Sequence, residues 1–255
     1  MRSPSRLTPA EFAAGTRIIC SRELGATFDS PIAYIVGAVF LVLSCTIFMN
    51  DFFLNGIVDM SAYFRTLPFL LIPFIPAVTM RLWAEERAQN TLEFIMTLPL
   101  DPLQIALGKY IAAIGFYLVI LLGTLPIVIM LLWLGEPDIG TIVASYLGAA
   151  LLGAFLLACG QFASGLTGDQ IVAFVLGTVL GFVFVLSGHE KVVEVLDGLR
   201  PGWQIGTWLY ESISVLPRYE AFGRGLVNLA DLVYFGVMIA FFVRMNQLTL
   251  ERSKQ

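Results

Sequence analysis

Apolar and polar positions fall along this chain in long blocks. Six blocks are apolar: residues 32–53, 63–82, 110–134, 141–166, 171–187 and 229–245. The first is uncharged until Asp51, and the third carries no charge at all. About 20 apolar residues in a helix cross roughly 30 Å of hydrocarbon, so each block approaches or exceeds a span, the fifth lying at the short end. The pattern predicts an all-α integral membrane protein with six transmembrane helices. Pro68, Pro73 and Pro76 interrupt the hydrogen-bond ladder of the second span. The expectation there is a static kink whose freed carbonyls find other partners. Gly177 and Gly181, four apart in the fifth span, suit close helix packing.

The polar blocks have helical grammar of their own. Residues 7–30 read as an N-terminal amphipathic helix with Thr8-Pro9-Ala10-Glu11 as its capping box and Pro31 as its stop. Phe12, Ile18 and Ile19 give it a broken apolar stripe, while Arg17, Arg22 and Glu23 keep the rest polar. A helix of this kind just before a span lies along the membrane interface. Residues 83–109 separate the second and third spans. Within them Thr91 caps a short helix, Glu93 sits in its first turn, and Leu92, Ile95 and Met96 share one face. Leu98-Pro99 stops that helix, and Asp101-Pro102-Leu103-Gln104 starts the next with a capping box. Neither lipid nor water suits both faces of a short amphipathic helix held between spans, which makes it a docking element. Residues 188–228 form the largest remaining segment; Ile205, Trp208, Leu209, Ile213 and Leu216 are spaced as one helical face, and Trp203, Trp208 and Tyr210 suit a membrane interface.

Composition agrees with a bilayer protein. Hydrophobic residues make up 58% of the chain and charged ones 13%, against about 25% in soluble domains. Mean hydropathy is +0.83. The net charge of −4 argues against nucleic acid as a partner. Basic residues set the orientation. Arg2, Arg6, Arg17, Arg22, Arg81, Arg87, Lys109, Arg244, Arg252 and Lys254 fall on one side, expected to be cytosolic together with both termini. The short opposite loops hold only Arg65, beside Asp51, Asp59, Glu136 and Asp138. Residues 188–228 are then external. The first residues lack the apolar core of a cleavable signal, so the first span is expected to direct insertion.

Candidate chemistry is sparse. Cys20, Cys45 and Cys159 have no ligand or disulfide spacing and read as inert, buried thiols. The single histidine, His189, beside Glu190, reads as a surface residue. Gly108-Lys109 is no phosphate loop, because Tyr110 replaces the required Ser or Thr; Lys109 is expected to snorkel to the headgroups. No carboxylate sits mid-span, which disfavours an ion-coupled carrier. The chain is not expected to be an enzyme. Glu85 and Glu86 have two readings, as docking groups or as solvation of a helix end.

The stretch from Met80 to Lys109 resembles the cytoplasmic loop of type II ABC exporter permeases. Met80, Arg81, Ala84, Glu85, Glu86, Thr91, Leu92, Glu93, Pro99, Gly108 and Lys109 carry the match. Asn90 stands where glycine is usual in that family, and asparagine tolerates the left-handed turn. Arg22-Glu23-Leu24, Ser30-Pro31-Ile32, Ser164 with Thr167 and Gln170, and Asp231-Leu232-Val233-Tyr234 resemble the gliding-motility, GldF-like branch. Arg218-Tyr219 and Gly168 depart from it. The resemblance implies a single permease domain over 1–255 in a bacterial inner membrane, with residues 83–109 as a cytosolic coupling loop. It further implies ABC ATPase subunits holding the ATP and Mg, with no cofactor on this chain, a second permease subunit, identical or related, and a GldG-like periplasmic-domain partner. ATPase coupling would then fall to Glu85, Glu86, Thr91, Leu92, Glu93, Ile95 and Met96. The other reading is a membrane scaffold or mechanotransmitting anchor without a transported substrate.

Overall fold

The computed structural model describes residues 8–56, 59–97, 100–199 and 205–252. Leu98-Pro99, Trp203, Arg2, Arg6 and Lys254, together with the side chains of Met96, Ile205 and Arg252, lie outside that description. The chain is 86% helical and without strands among the described residues. In order the helices are α1 (Pro9–Phe28), α2 (Pro31–Asn55), α3 (Ser61–Thr79), α4 (Arg81–Ala88), α5 (Leu92–Thr97), α6 (Pro102–Leu122) and α7 (Leu125–Leu134). They continue with α8 (Ile139–Gly165), α9 (Gln170–Leu186), α10 (Glu190–Leu199), α11 (Ile205–Ser212), α12 (Leu216–Gly223) and α13 (Leu229–Arg252).

Five helical stretches are long and apolar enough to cross a membrane: Pro31–Leu54, Ser61–Ala88, Pro102–Leu134, Ile139–Gly165 and Leu229–Glu251. A sixth exists if α9 and α10, bent by 89° against each other, count as one span. The protein is therefore an all-α, multi-pass membrane protein. The 17 residues of α9 are the short fifth block of the sequence. Pro126, in the first turn of α7, breaks the third block in two after Gly123. The face expected to run through Ile213 and Leu216 is also broken: α11 ends at Ser212, and α12 starts at Leu216 with Pro217 in its first turn.

The two predicted capping boxes are present. Thr8 accepts from Glu11 N, and the Glu11 carboxylate accepts from Thr8 N, which closes the box. The hydrogen bond from Thr8 N and, second, one from the Thr8 hydroxyl hold the Glu11 carboxyl below its ordinary range. Asp101 and Gln104 close the second box, at α6. Asn90 takes φ 55, the only positive value outside glycine among the described residues.

The centre of the bundle is α8, which packs against α3, α6, α9, α12 and α13. Two glycines let it be surrounded so tightly. A Cβ on Gly153 would lie 2.2 Å from the Tyr117 ring, and one on Gly160 would lie 2.2 Å from Thr79 Oγ1. Gly177 and Gly181 likewise bring α9 against Pro76 and Ile72 of α3. Side chains then tie the apolar helices through backbone carbonyls. Tyr110 and Tyr117 on α6 donate to Ala154 O and Ala149 O, each at 2.8 Å. Gln161 donates to Ala106 O at 2.9 Å, and Asn246 to Gln161 O at 2.9 Å, linking α13, α8 and α6.

A proline inside α3 is accommodated by the same device. Pro68 has no N–H to offer the carbonyl four residues back, that of Phe64. The Tyr219 hydroxyl, from α12, donates to Phe64 O at 2.7 Å. The freed carbonyl is thus satisfied from a neighbouring helix. Of the cysteines, Cys159 is buried and Cys20 partly so, but Cys45 is exposed, because it lies off the Phe40–Ser44–Phe48 face with which α2 packs inward.

Gly153→Ala should lower the apparent melting temperature of the detergent-solubilised protein, because overpacking a tight contact costs about 1–3 kcal/mol. Gly25→Ala and Gly236→Ala, where an added Cβ meets nothing within 4 Å, should leave it unchanged or raise it slightly. Fluorescence-monitored thermal unfolding of the three variants checks the contrast.

Candidate functional site

The polar residues singled out in sequence converge at the end of the bundle that holds α1, α4, α5 and the start of α6. Lys109 is their centre. It stands on the third turn of α6, yet its side chain is only 2% exposed, so it does not snorkel to the headgroups. Its ammonium donates to Leu82 O and to Glu86 Oε1, each at 2.8 Å, and pairs with Glu23 Oε2 at 3.2 Å as an ion pair. The ammonium also lies 4.9 Å from the centre of the Trp83 ring. A buried charge is tolerated only when paired and hydrogen-bonded, and here α1 and α4 each send a carboxylate to meet it. Arg22 completes the group, bonded to Glu23 at 2.5 Å and lying 3.5 Å from Glu86. Glu86 Oε2 is buried and has no hydrogen-bond partner among the described residues.

Close helix approach makes this geometry possible. A Cβ on Gly108 would lie 2.7 Å from two atoms of Ile19, so only glycine there lets α1 come down on α6. Gln104 reaches the other way and donates to Phe12 O at 3.1 Å. Consequently the stripe predicted on α1 is divided. Ile19 is buried on α6, Phe12 is half-buried, and Ile18 points away at 67% exposure.

The second anchor lies on α8. Ser164 donates to Met80 O and accepts from Trp83 N and Ala84 N. One hydroxyl thereby satisfies the backbone where α3 passes into α4. Glu85 takes a separate role from Glu86. It receives Arg81 Nε at 2.9 Å, while Arg81 Nη1 donates to Ser30 Oγ at 2.9 Å, tying α4 to the α1–α2 corner.

The short helix α5 does not bury its stripe against a partner. Leu92 and Ile95 pack into a cluster with Ile19, Trp83, Ile105, Ala106 and Leu250 of the chain itself. The expectation of a free Leu92–Ile95 face is corrected: the fold brings α1, α4, α6 and α13 together beneath it. What α5 leaves outside is Glu93 and Phe94, the latter 72% exposed. Thr91 also differs from its expected role, since its hydroxyl donates back to Glu86 O at 3.3 Å.

Lys109, Ser164, Trp83 and Gln104 are the contributors that sequence reasoning missed as site residues. A lone lysine after glycine at the edge of an apolar block was the visible signal for the first. No protein-family model matches the chain, and no curated protein does.

Lys109→Met should destabilise the protein by about 3–5 kcal/mol, because it leaves Glu23 and Glu86 buried without their cation. Adding Glu86→Gln should recover part of that loss. Thermal unfolding followed through intrinsic tryptophan fluorescence measures both; equal stability of the parent and Lys109→Met would show that the ion group contributes nothing.

Proposed function

We propose that the chain is the membrane permease subunit of an ATP-driven ABC exporter of the gliding-motility, GldF-like type. In this reading α1 lies along the cytosolic interface, α9 is the short fifth span, and α10–α12 lie on the external side. Both termini are in the cytosol of a bacterium whose inner membrane holds the protein. A second permease subunit, two ATPase subunits carrying ATP and Mg, and a GldG-like accessory subunit complete the assembly.

The observation that carries the reading is α5. It is a short helix between two membrane-crossing stretches, fastened beneath by Leu92 and Ile95 and bare above at Glu93 and Phe94. A fastened helix with one exposed aromatic transmits a push, whereas a loose one would absorb it. Movement of α5 would reach α4 and α1 through Trp83 and Ile19, and α6 through Lys109. The resemblance of residues 80–109 to the coupling loop of such permeases supports the same assignment.

Phe94→Asp should weaken co-purification with the ATPase about 10- to 100-fold, the worth of one buried aromatic side chain. It should leave the melting temperature of the isolated chain unchanged. Ile95→Asp, by contrast, should destabilise the chain itself. Normal assembly and ATP hydrolysis with Phe94→Asp would move the contact away from α5. Topology is checked separately. Single cysteines at Arg17 and Lys191, in a background without the native three, should label from opposite sides of the membrane; labelling from one side would overturn the orientation.

A further inference from the structure

At the far end of α9 the chain turns through a right angle. The helix begins at the exposed Asp169, whose carboxylate accepts from Ile171 N at 2.7 Å and from Val172 N at 3.2 Å. Its first turn therefore stands at a polar boundary. Set along the bilayer normal, its 17 residues at about 1.5 Å each rise about 25 Å, roughly 5 Å short of a hydrocarbon core about 30 Å thick. There α10 leaves at 89°. A helix perpendicular to a span runs in the membrane plane, and the shortfall sets this one about 5 Å inside the hydrocarbon edge. Amphipathic helices lying in the interface settle at that depth, about 5–10 Å into the boundary between headgroups and acyl chains.

The residues of α10 suit that place. Val192, Val195 and Leu196 share one face at i, i+3 and i+4, and the exposed Glu190 and Glu194 share the opposite one. Contacts with α11 run along the edge between the two faces. There the Asp197 carboxylate accepts from Gly206 N at 2.6 Å and from the Thr207 hydroxyl at 2.7 Å. A Cβ on Gly206 would lie 2.5 Å from Val193 O, so the two helices touch closely at this edge. The apolar face stays open. Val195 is 65% exposed, and among the described residues no α10 side chain belongs to or packs against either hydrophobic cluster of the protein. On α11, Trp208 is 59% exposed, an amphipathic ring suited to headgroup depth.

We propose that α10 lies in the plane of the membrane interface, with Val192, Val195 and Leu196 against the acyl chains and Glu190 and Glu194 in water. The α10–α11 pair then rests on the leaflet in which α9 ends. The right angle and the short span select lipid as the occupant, because together they hold the apolar face at the level of the acyl chains. A protein partner arriving from water would meet Glu190 and Glu194 first. The inference rests on the reading of α9 as a span, and it holds whichever way the chain is oriented and whether or not it couples to an ATPase.

The full chain is reconstituted in phosphatidylcholine vesicles with a nitroxide on a single cysteine, in a background without the native three. Val179→Cys on α9, Val195→Cys and Glu194→Cys carry the label, all at exposed positions where it disturbs no packing. Power-saturation electron paramagnetic resonance compares relaxation by oxygen, which concentrates among acyl chains, with relaxation by a water-soluble nickel chelate. Oxygen should dominate at Val179 and, less strongly, at Val195, and the preference should reverse at the neighbouring Glu194. A nickel preference at Val179 would overturn α9 as a span, and the inference with it. With Val179 in lipid, a nickel preference at both α10 positions would overturn the inference alone and put α10 in water. An oxygen preference at both would replace it with a re-entrant α10, and a Val195 label shielded from both reagents with a protein contact, such as a second copy of the chain.

Discussion

An ammonium group removed from water at the edge of a bilayer can persist only if its protons and its charge are both answered. Lys109 meets that condition with hydrogen bonds to a carbonyl and a carboxylate and an ion pair to a second carboxylate, and the three partners come from two other helices. The position of α1 and of α4 relative to α6 is therefore set by chemistry as well as by packing. Because desolvation of the three ions costs several kcal/mol each, small displacements that lengthen these contacts are strongly opposed. Such a group holds one arrangement sharply, or exchanges it for another distinct arrangement, and does not drift between.

The rest of the bundle follows a related rule in a drier setting. Where apolar helices meet, the donors are tyrosine hydroxyls and side-chain amides, and the acceptors are backbone carbonyls of a neighbour. Tyr110, Tyr117, Gln161 and Asn246 join α6, α8 and α13 in this way. Without a hydrophobic driving force between spans, such bonds and close packing at small residues supply the association. The glycines of α8 matter for that reason, and Tyr219 matters because it satisfies the carbonyl that Pro68 leaves free in α3. The continuous path from α3 through Met80 into α4, fastened by Ser164, connects this dry core to the charged end.

What the sequence determined by itself was most of what local periodicity and capping govern. The apolar blocks, both capping boxes, the left-handed Asn90 and the close approach of α9 at Gly177 and Gly181 all depend on residues a few positions apart. The breaks at Pro126 and Pro217 were readable on the same ground, yet amphipathic spacing masked the second. Only the tertiary structure decided what each polar or amphipathic face meets. Lys109 at the edge of an apolar block looks like a snorkelling residue until Gly108 brings α1 across it. Leu92 and Ile95 look like an unclaimed stripe until Ile19, Trp83 and Leu250 arrive from distant segments to cover them. Periodicity states that a face is apolar or charged. Which surface covers it depends on contacts between residues far apart in the chain, and no local pattern encodes those.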